Sequence, residues 1–465
     1  MTIITRFAPS PTGDLHIGAA RTALFNYLFA KHHSGKFLLR IEDTDNNRSN
    51  VEYYQSIINS LNWLNIQHDD EVLYQSSRSK RYLSVANDLL KYGYAYYCFC
   101  SQKDIARYKE GNKNYCKNFV FRSPWRNVDS DSCPKDVTPV IRLKVPDYGK
   151  IIVNDMVQGE VIFDNINIED VVLIRADGTA TYTLASVVDD HDTGITHIIR
   201  GDDHLTNTAK QQIIYNFMGW ELPKWAHIAL IHDINNRKLS KRRGAVGIEY
   251  YRNQGYLPEA ICNYLLRLGW SHGDDEIISK TEAIKWFNIE SMGKSPSIID
   301  FDKMRYLNSV YLKLMDNEEM MSYILNHFRP QICEESKKFI MLALDEIKQR
   351  SATLLDVYNL AKIYIIGLPL VMDDEAKNYL NKMDKAVVLS LVDALRSLVD
   401  YSQGEIKGLI KNIAIEYNMK SRDIFTILRV LITGRIYSSS IVNIMYIIGR
   451  DHSIRRLEKA YYDFK

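Results

Sequence analysis

Two short segments of the chain carry residue types that could handle phosphate. In residues 6–30, RFAPSPTGDLHIGAARTALFNYLFA, Pro9 and Pro11 stiffen a turn and Gly13 and Gly18 permit close backbone approach. His16 stands there at the start of a helical pattern, where free N–H groups favour an anion, and an imidazole can donate to a phosphate oxygen as charge grows on it. In residues 235–246, NNRKLSKRRGAV, the cations Lys238, Lys241, Arg242 and Arg243 crowd a short loop closed by Gly244, suited to a departing pyrophosphate. Taken alone, a helix-start histidine is a cap or a surface residue, and a basic hexamer is a solvated patch. The two gain meaning as a pair, in this order, with 222 residues separating His16 from Lys238.

The elements that must position them follow from periodicity. TIITRFAP (residues 2–9) reads as a strand, residues 16–32 place Ile17, Ala20, Leu24, Tyr27 and Leu28 at helical spacing, and FLLRIED (residues 37–43) reads as a second strand, together a βαβ unit. Residues from about 84 to 180 differ: they hold a cysteine cluster, a polar stretch and strand-like VIRLKV, and read as an insertion. The α/β pattern then resumes, with DVVLIRADG (170–178) and THIIRGDDH (196–204) as strands around helical YTLASVVDD. After about residue 245 strands nearly vanish, and the chain from 317 to 465 gives helical spacing broken by Gly and Pro. An α/β parallel-sheet domain interrupted by an insertion and followed by helical bundles is the expected architecture.

Composition bounds the partners. Apolar residues make up 46% and charged residues 25% of the 465, so the chain can bury cores. The formal charge is only +2, yet the last 65 residues carry eleven Lys plus Arg against six Asp plus Glu. A polyanion must therefore be met by local patches, of which the 238–243 loop and this tail are two. No apolar run approaches a membrane span and the amino terminus, with Arg6 and two prolines, lacks a signal-peptide core, so a cytoplasmic protein without a membrane partner is expected. Six cysteines, four of them between Cys98 and Cys133, are too few for a disulfide framework and leave a metal site or buried thiols.

FAPSPTGDLHIGAARTALFNYLFA, LRIEDTD, YTLASVVDDH, IIRGDDHL and KLSKRRG resemble successive blocks of the bacterial glutamyl-tRNA synthetases, a class I aminoacyl-tRNA synthetase family. Block order, spacing and total length agree over essentially the whole chain, on helical character and length alone beyond about residue 320. The resemblance implies a Rossmann-like catalytic domain split over 1–83 and 181–245, an acceptor-end domain inserted at 84–180, a helical stem-contact domain at 246–320, and a helical anticodon-binding domain at 321–465. It implies activation of L-glutamate by ATP and transfer to tRNA(Glu), with an enzyme that also charges tRNA(Gln) as the alternative, and a monomeric assembly. ATP would lie against His16, Gly18 and His204, with Lys238, Ser240 and Lys241 at the triphosphate, and Mg2+ is implied by ATP. Arg6, Ser10, Glu42, Tyr182 and Arg200 would hold glutamate, while Asp202 and Asp203 would line the nucleotide side. Ser186 stands where some members carry asparagine. Arg350, in RSATL, matches a segment that favours glutamate anticodons.

Cys98 and Cys100 have the Cys-x-Cys form of zinc-containing members and Cys116 can supply a third thiolate, but a closed structural site wants four ligands. Asn118 stands near the usual fourth position and Cys133 is a loose substitute, so the ligand count favours reduced cysteines over Zn2+.

Overall fold

The structure is a computed structural model that describes residues 2–44, 51–112, 120–128, 134, 136–237, 246–328, 330–367, 371–381 and 383–463. The backbone divides into two compact units, one of residues 1–253 and 258–307, the other of residues 254–257 and 308–465.

The first unit runs β1 (Ile4–Phe7), α1 (Ile17–His32), β2 (Lys36–Ile41), α2 (Val51–Trp63), β3 (Leu73–Tyr74), α3 (Ser79–Lys91), β4 (Ala95–Cys98), α4 (Gln102–Asn112) and β5 (Val140–Leu143). It continues with β6 (Lys150–Asp155), β7 (Gly159–Asp164), β8 (Val172–Ile174), α5 (Tyr182–Asp192), β9 (His197–Gly201), α6 (Leu205–Met218) and β10 (Lys224–Ile228). Parallel β1, β2 and β3 form one sheet, and β9, β10, β6 and β7 form another in the order β7-β6-β10-β9. The two meet edge to edge: Thr196 N–H donates to the Ile4 carbonyl at 3.0 Å, and Ile4 N–H donates to the Thr196 hydroxyl at 2.9 Å. Strands such as β9, HIIRG, are buried along nearly their whole length, which is why they read as apolar runs rather than alternating ones.

Helix α1 covers this junction. Ala20, Ala23, Leu24, Phe25 and Leu28 are all buried, and so is Asn26, whose Nδ2 donates to the Ile199 carbonyl at 2.9 Å while its own carbonyl accepts the Thr5 hydroxyl at 2.8 Å. One polar residue on the helix thus ties it to β1 and to β9, on either side of the gap. A buried amide is tolerated there because it satisfies strand groups that water cannot reach.

Residues 170–178, expected to resume the parallel pattern, hold β8, which pairs antiparallel with β5 in a separate β4-β5-β8 sheet. A turn accounts for it, with Arg175 N–H donating to the Thr179 carbonyl and Thr181 N–H to the Leu173 carbonyl, both at 2.9 Å, so the chain doubles back before α5. The β6–β7 hairpin lies within the segment expected as an insertion, yet it extends the catalytic sheet: Asp155 stands opposite Trp225 of β10. Past residue 245 the one strand among the described residues is Ser297–Ile298, which pairs with Ile231–His232, matching the expected loss of strands.

The second unit is helical. Its helices include Glu334–Gln349, Leu354–Ala361, Lys385–Ser397, Gln403–Glu416, Ser421–Thr433 and Ile441–Asp463, the last bent at Gly449. Their starts are marked in the sequence: Thr353 and Asp356 form a capping box, Asp384 accepts from Ala386 N–H at 2.9 Å, and Ser402 accepts from Glu405 N–H at 3.4 Å. Ile424, Ile427, Leu428 and Leu431 recur at helical spacing and are buried.

Asn26→Ala is expected to lower the stability of the first unit by roughly 1–3 kcal/mol, because the Ile199 carbonyl loses its buried donor. Denaturant unfolding followed by fluorescence of the buried Trp225 and Trp270 checks this.

Candidate active site

The carboxyl ends of β1 and β9, the residue that follows β2 and the amino end of α1 open onto one cavity of about 510 Å³. Arg6, Ser10, His16, Gly18, Glu42, Tyr182, Arg200 and His204 all line it, although they come from four separate sequence blocks. In an open α/β sheet, ligands bind at the carboxyl ends of strands where strand order reverses, and β1 occupies that place here.

His16 is the N-cap of α1, with extended backbone, and its Nδ1 accepts from Ala19 N–H at 3.3 Å. That bond assigns the ring proton to Nε2, so the imidazole can donate to an anion. A Cβ on Gly18 would stand 3.3 Å from His16 Nδ1 and Cε1, so a side chain there would press on the ring. The segment after the cationic loop returns to the same place: Ile248 N–H donates to the Leu15 carbonyl at 2.8 Å, and Gly247 pairs with His16 in an antiparallel bridge. Main-chain pairing thus brings the residues that directly follow the 235–246 segment to the start of α1. Gly247 was not singled out in the sequence. A Cβ on it would come within 2.8 Å of Asp14 Cβ, which is why the close pairing needs glycine.

Behind Arg6 and Glu42, which line the cavity, lies a network of buried charges. Asp190 of α5 accepts from Arg6 through Nε at 3.0 Å and through NH2 at 3.3 Å, and it accepts a further bond from Arg40. Arg40 also donates to Glu42 at 3.1 Å. Asp189 accepts from Arg78 Nε at 2.7 Å, Gln75 at 2.8 Å and the Tyr82 hydroxyl at 2.9 Å. Burial works against ionisation of Asp190, but Arg40 and Arg6 outweigh it and hold the carboxyl below the usual range. For Asp189 burial prevails and the carboxyl is raised. Burial likewise raises Glu42, with Arg40 opposing it. Neither Arg40 nor the aspartate pair was assigned a role from the sequence, although VVDDH lay within a recognised block.

Arg200 differs from Arg6. Its guanidinium is buried, and its bonds go to neutral groups: Tyr182 Oη at 3.1 Å, Thr208 Oγ1 and Gln211 Oε1 at 2.7 Å each, and His227 Nε2 at 3.2 Å. It lies 5.3 Å from the Trp225 ring centroid. Burial lowers its pKa, and the same cause, reinforced by Arg200, pushes His204 down to about 4. His204 Nδ1 meets the Tyr182 hydroxyl at 3.2 Å, so at neutral pH it is a neutral imidazole beside a cation. A buried guanidinium held by neutral acceptors and lining a cavity is arranged to receive an anion. Ser186 does not line the cavity; its buried hydroxyl accepts from Gln211 Nε2 at 2.6 Å.

Other expected residues lie elsewhere. Lys238, Ser240 and Lys241 fall outside the described residues, as do Cys116, Asn118 and Cys133. Cys98 is buried and Cys100 partly so, their sulfurs 3.3 and 3.5 Å from the Ser123 hydroxyl, two thiols where a closed zinc site wants four ligands. Among the described residues no group of three or more His, Cys, Asp or Glu is placed to hold a metal. Arg350 is exposed at the carboxyl end of helix Glu334–Gln349 in the second unit. Among the described residues no helix is long and apolar enough to cross a membrane.

Gly247→Ala is expected to weaken ATP binding by roughly ten-fold, because the added methyl must push either Asp14 or the strand that pairs with His16. Calorimetric titration of ATP into the variant, with Asp14→Gly/Gly247→Ala as the relieving double substitution, measures it.

Residues 2–306 match the family model described as tRNA synthetases class I (E and Q), catalytic domain, and residues 318–461 match an anticodon binding domain. The chain is 50% identical over 458 residues to glutamate–tRNA ligase 2 of Rickettsia felis, covering 98% of this chain and 99% of that one, and 48% identical over 461 residues to glutamate–tRNA ligase 1 of Rickettsia canadensis, covering 98% and 99%. A crystal structure of a glutamate tRNA ligase from Elizabethkingia meningosepticum, in complex with its amino acid, superimposes with a TM-score of 0.84 at 32% identity, covering both chains completely. With four of the five blocks meeting in one cavity and both family models matched in the expected order, the chain belongs to the class I tRNA synthetases of the E and Q type, among the glutamate–tRNA ligases.

Proposed function

We propose that this chain activates L-glutamate with ATP in the cavity at β1 and β9, forming glutamyl-adenylate and pyrophosphate, and then passes the glutamyl group to the 3′-terminal adenosine of tRNA(Glu) with release of AMP. The observation that carries the reading is Arg200: a buried cation whose hydrogen-bond acceptors are neutral, lining the cavity beside Tyr182. The substrate's side-chain carboxylate completes that site. Arg6 reaches the cavity already balanced by Asp190, so it orients rather than neutralises. Glu42, bonded to Arg40 and lining the same cavity, faces the ammonium group, and Ser10 lies at the cavity rim.

Activation needs no protein nucleophile. The glutamate α-carboxylate attacks the α-phosphorus, and the site contributes in-line positioning and stabilised phosphate charge. His16 donates from the start of α1, Gly18 keeps the approach open, and neutral His204 lies toward the nucleotide, with Asp202 and Asp203 nearby. Lys238 and Lys241, with Ser240 supporting their loop, grip the triphosphate, whose Mg2+ spreads the remaining charge when bound. Residues 84–180 meet the acceptor end, 246–320 the stem and 321–465 the anticodon, where Arg350 is the residue proposed to favour glutamate anticodons.

The deciding experiment is aminoacylation by the purified chain with separate tRNA(Glu) and tRNA(Gln) and labelled glutamate. Charging of tRNA(Glu) alone is expected; equal charging of both establishes the non-discriminating alternative and removes the role given to Arg350, and charging of neither overturns the reading. Arg200→Ala is expected to raise the KM for glutamate by roughly two orders of magnitude with little change in the KM for ATP. An unchanged glutamate KM would place the carboxylate clamp elsewhere.

A further inference from the structure

Arg200 is aimed by a chain of groups that begins on a different strand. His227 of β10 stands directly beside Arg200 of β9 in the parallel register, so the two side chains emerge on one face of the sheet. Two residues earlier, Trp225 shares that face and pairs in register with Asp155 at the end of β6. Asp155 Oδ2 lies 2.6 Å from His227 Nδ1, and both residues are buried. The other Asp155 oxygen accepts from Val157 N–H at 2.9 Å and Gln158 N–H at 2.8 Å, so the carboxylate is fixed by the turn of the β6–β7 hairpin. A carboxylate at Nδ1 places the ring proton there and leaves Nε2 as a lone-pair acceptor. Arg200 Nε donates to Nε2 at 3.2 Å, and Nε2 is also 3.0 Å from the Thr208 hydroxyl.

The opposite tautomer would turn an N–H toward the guanidinium and swing it away from Tyr182. The carboxylate therefore acts through the ring, and it does so without contacting the cavity, which neither Asp155 nor His227 lines. A direct Asp–Arg pair would have neutralised Arg200 and left nothing for the substrate; an interposed neutral imidazole orients the cation and leaves its charge available. On the other side Gln211 is set in the same manner: its Nε2 donates to buried Ser186, which turns its Oε1 to Arg200.

We propose that Asp155, acting through His227, is a positioning residue that aims the Arg200 guanidinium at the side-chain carboxylate of the amino-acid substrate. The inference rests on the reading of Arg200 as the carboxylate clamp. It assigns a substrate-recognition function to the β6–β7 hairpin, which lies in the segment expected from the sequence to serve tRNA.

The test uses the full-length enzyme charging tRNA(Glu), with glutamate and ATP varied separately. In Asp155→Asn, the amide can donate to Nδ1 and reverse the tautomer; the glutamate KM is expected to rise roughly ten-fold, while the ATP KM and kcat stay within about two-fold of wild type. His227→Gln keeps an acceptor near the Nε2 position and needs no carboxylate, so its glutamate KM stays near wild type, and adding Asp155→Asn to it has no further effect. His227→Leu removes the acceptor and raises the glutamate KM as Asp155→Asn does, which keeps the idea testable if Asp155→Asn fails to fold. Equal glutamate KM values in His227→Gln and His227→Leu overturn the proposal. So does an Asp155→Asn penalty that falls equally on ATP and glutamate, or that persists unchanged in the His227→Gln background. Failure of the wild-type chain to charge tRNA with glutamate would instead refute the functional reading beneath it.

Discussion

The site depends on leaving one buried cation without an anion. Desolvating a guanidinium costs several kcal/mol, and a fold ordinarily recovers that with a carboxylate, as it does for Arg6 with Asp190. At Arg200 no carboxylate among the described residues does so. Five neutral acceptors, the His204 carbonyl among them, and the face of Trp225 hold the cation in place, and each comes from an element packed alongside β9. Tyr182 belongs to α5, Thr208 and Gln211 to α6, and His227 to β10. Their placement is therefore a statement about the order of the sheet as much as about the substrate.

The neighbouring charges show why Arg6 and Arg200 perform different tasks. Asp190, shared by Arg6 and Arg40, holds Arg6 where it lines the cavity, and Asp189 repeats the arrangement one residue away with Arg78, Gln75 and Tyr82. These bonds fasten α5 to β1, β2 and the start of α3, so the wall that carries Tyr182 is fixed before any ligand enters. Preorganised donors of this kind stabilise charge in the reaction without having to rearrange when it appears. The start of α1 follows a different rule, in which backbone pairing brings Gly247 and Ile248 against His16 and Leu15.

Much of this was legible because the blocks are local. The period of residues 16–32, the buried run of β2 and the turn residues between β1 and α1 each express a short-range requirement that a sequence states directly. The described residues expected to touch glutamate and ATP line one cavity, apart from Asp202, which lies beside it in sequence but is not part of its lining. What escaped notice depends on pairing across long separations. Asp155 and His227 are 72 residues apart and Gly247 and His16 are farther apart still, so no window of sequence presents them together. The assignment of 170–178 to the parallel sheet erred for a related reason: an apolar run marks a buried strand but says nothing of its partner, and here the turn at residues 175–179 sends it to β5.

By itself, the sequence determined the class of chemistry and the parts list: a helix-start histidine, a cationic loop, strand-end arginines and a carboxyl-terminal region of helices. Those features are set by residue type and spacing within a few turns of chain. The tertiary structure alone decided which arginine meets a carboxylate in the protein and which is held by neutral groups. That choice is electrostatic. It depends on the groups facing each guanidinium across strands distant in sequence, and burial makes it decisive because no water is present to screen the difference.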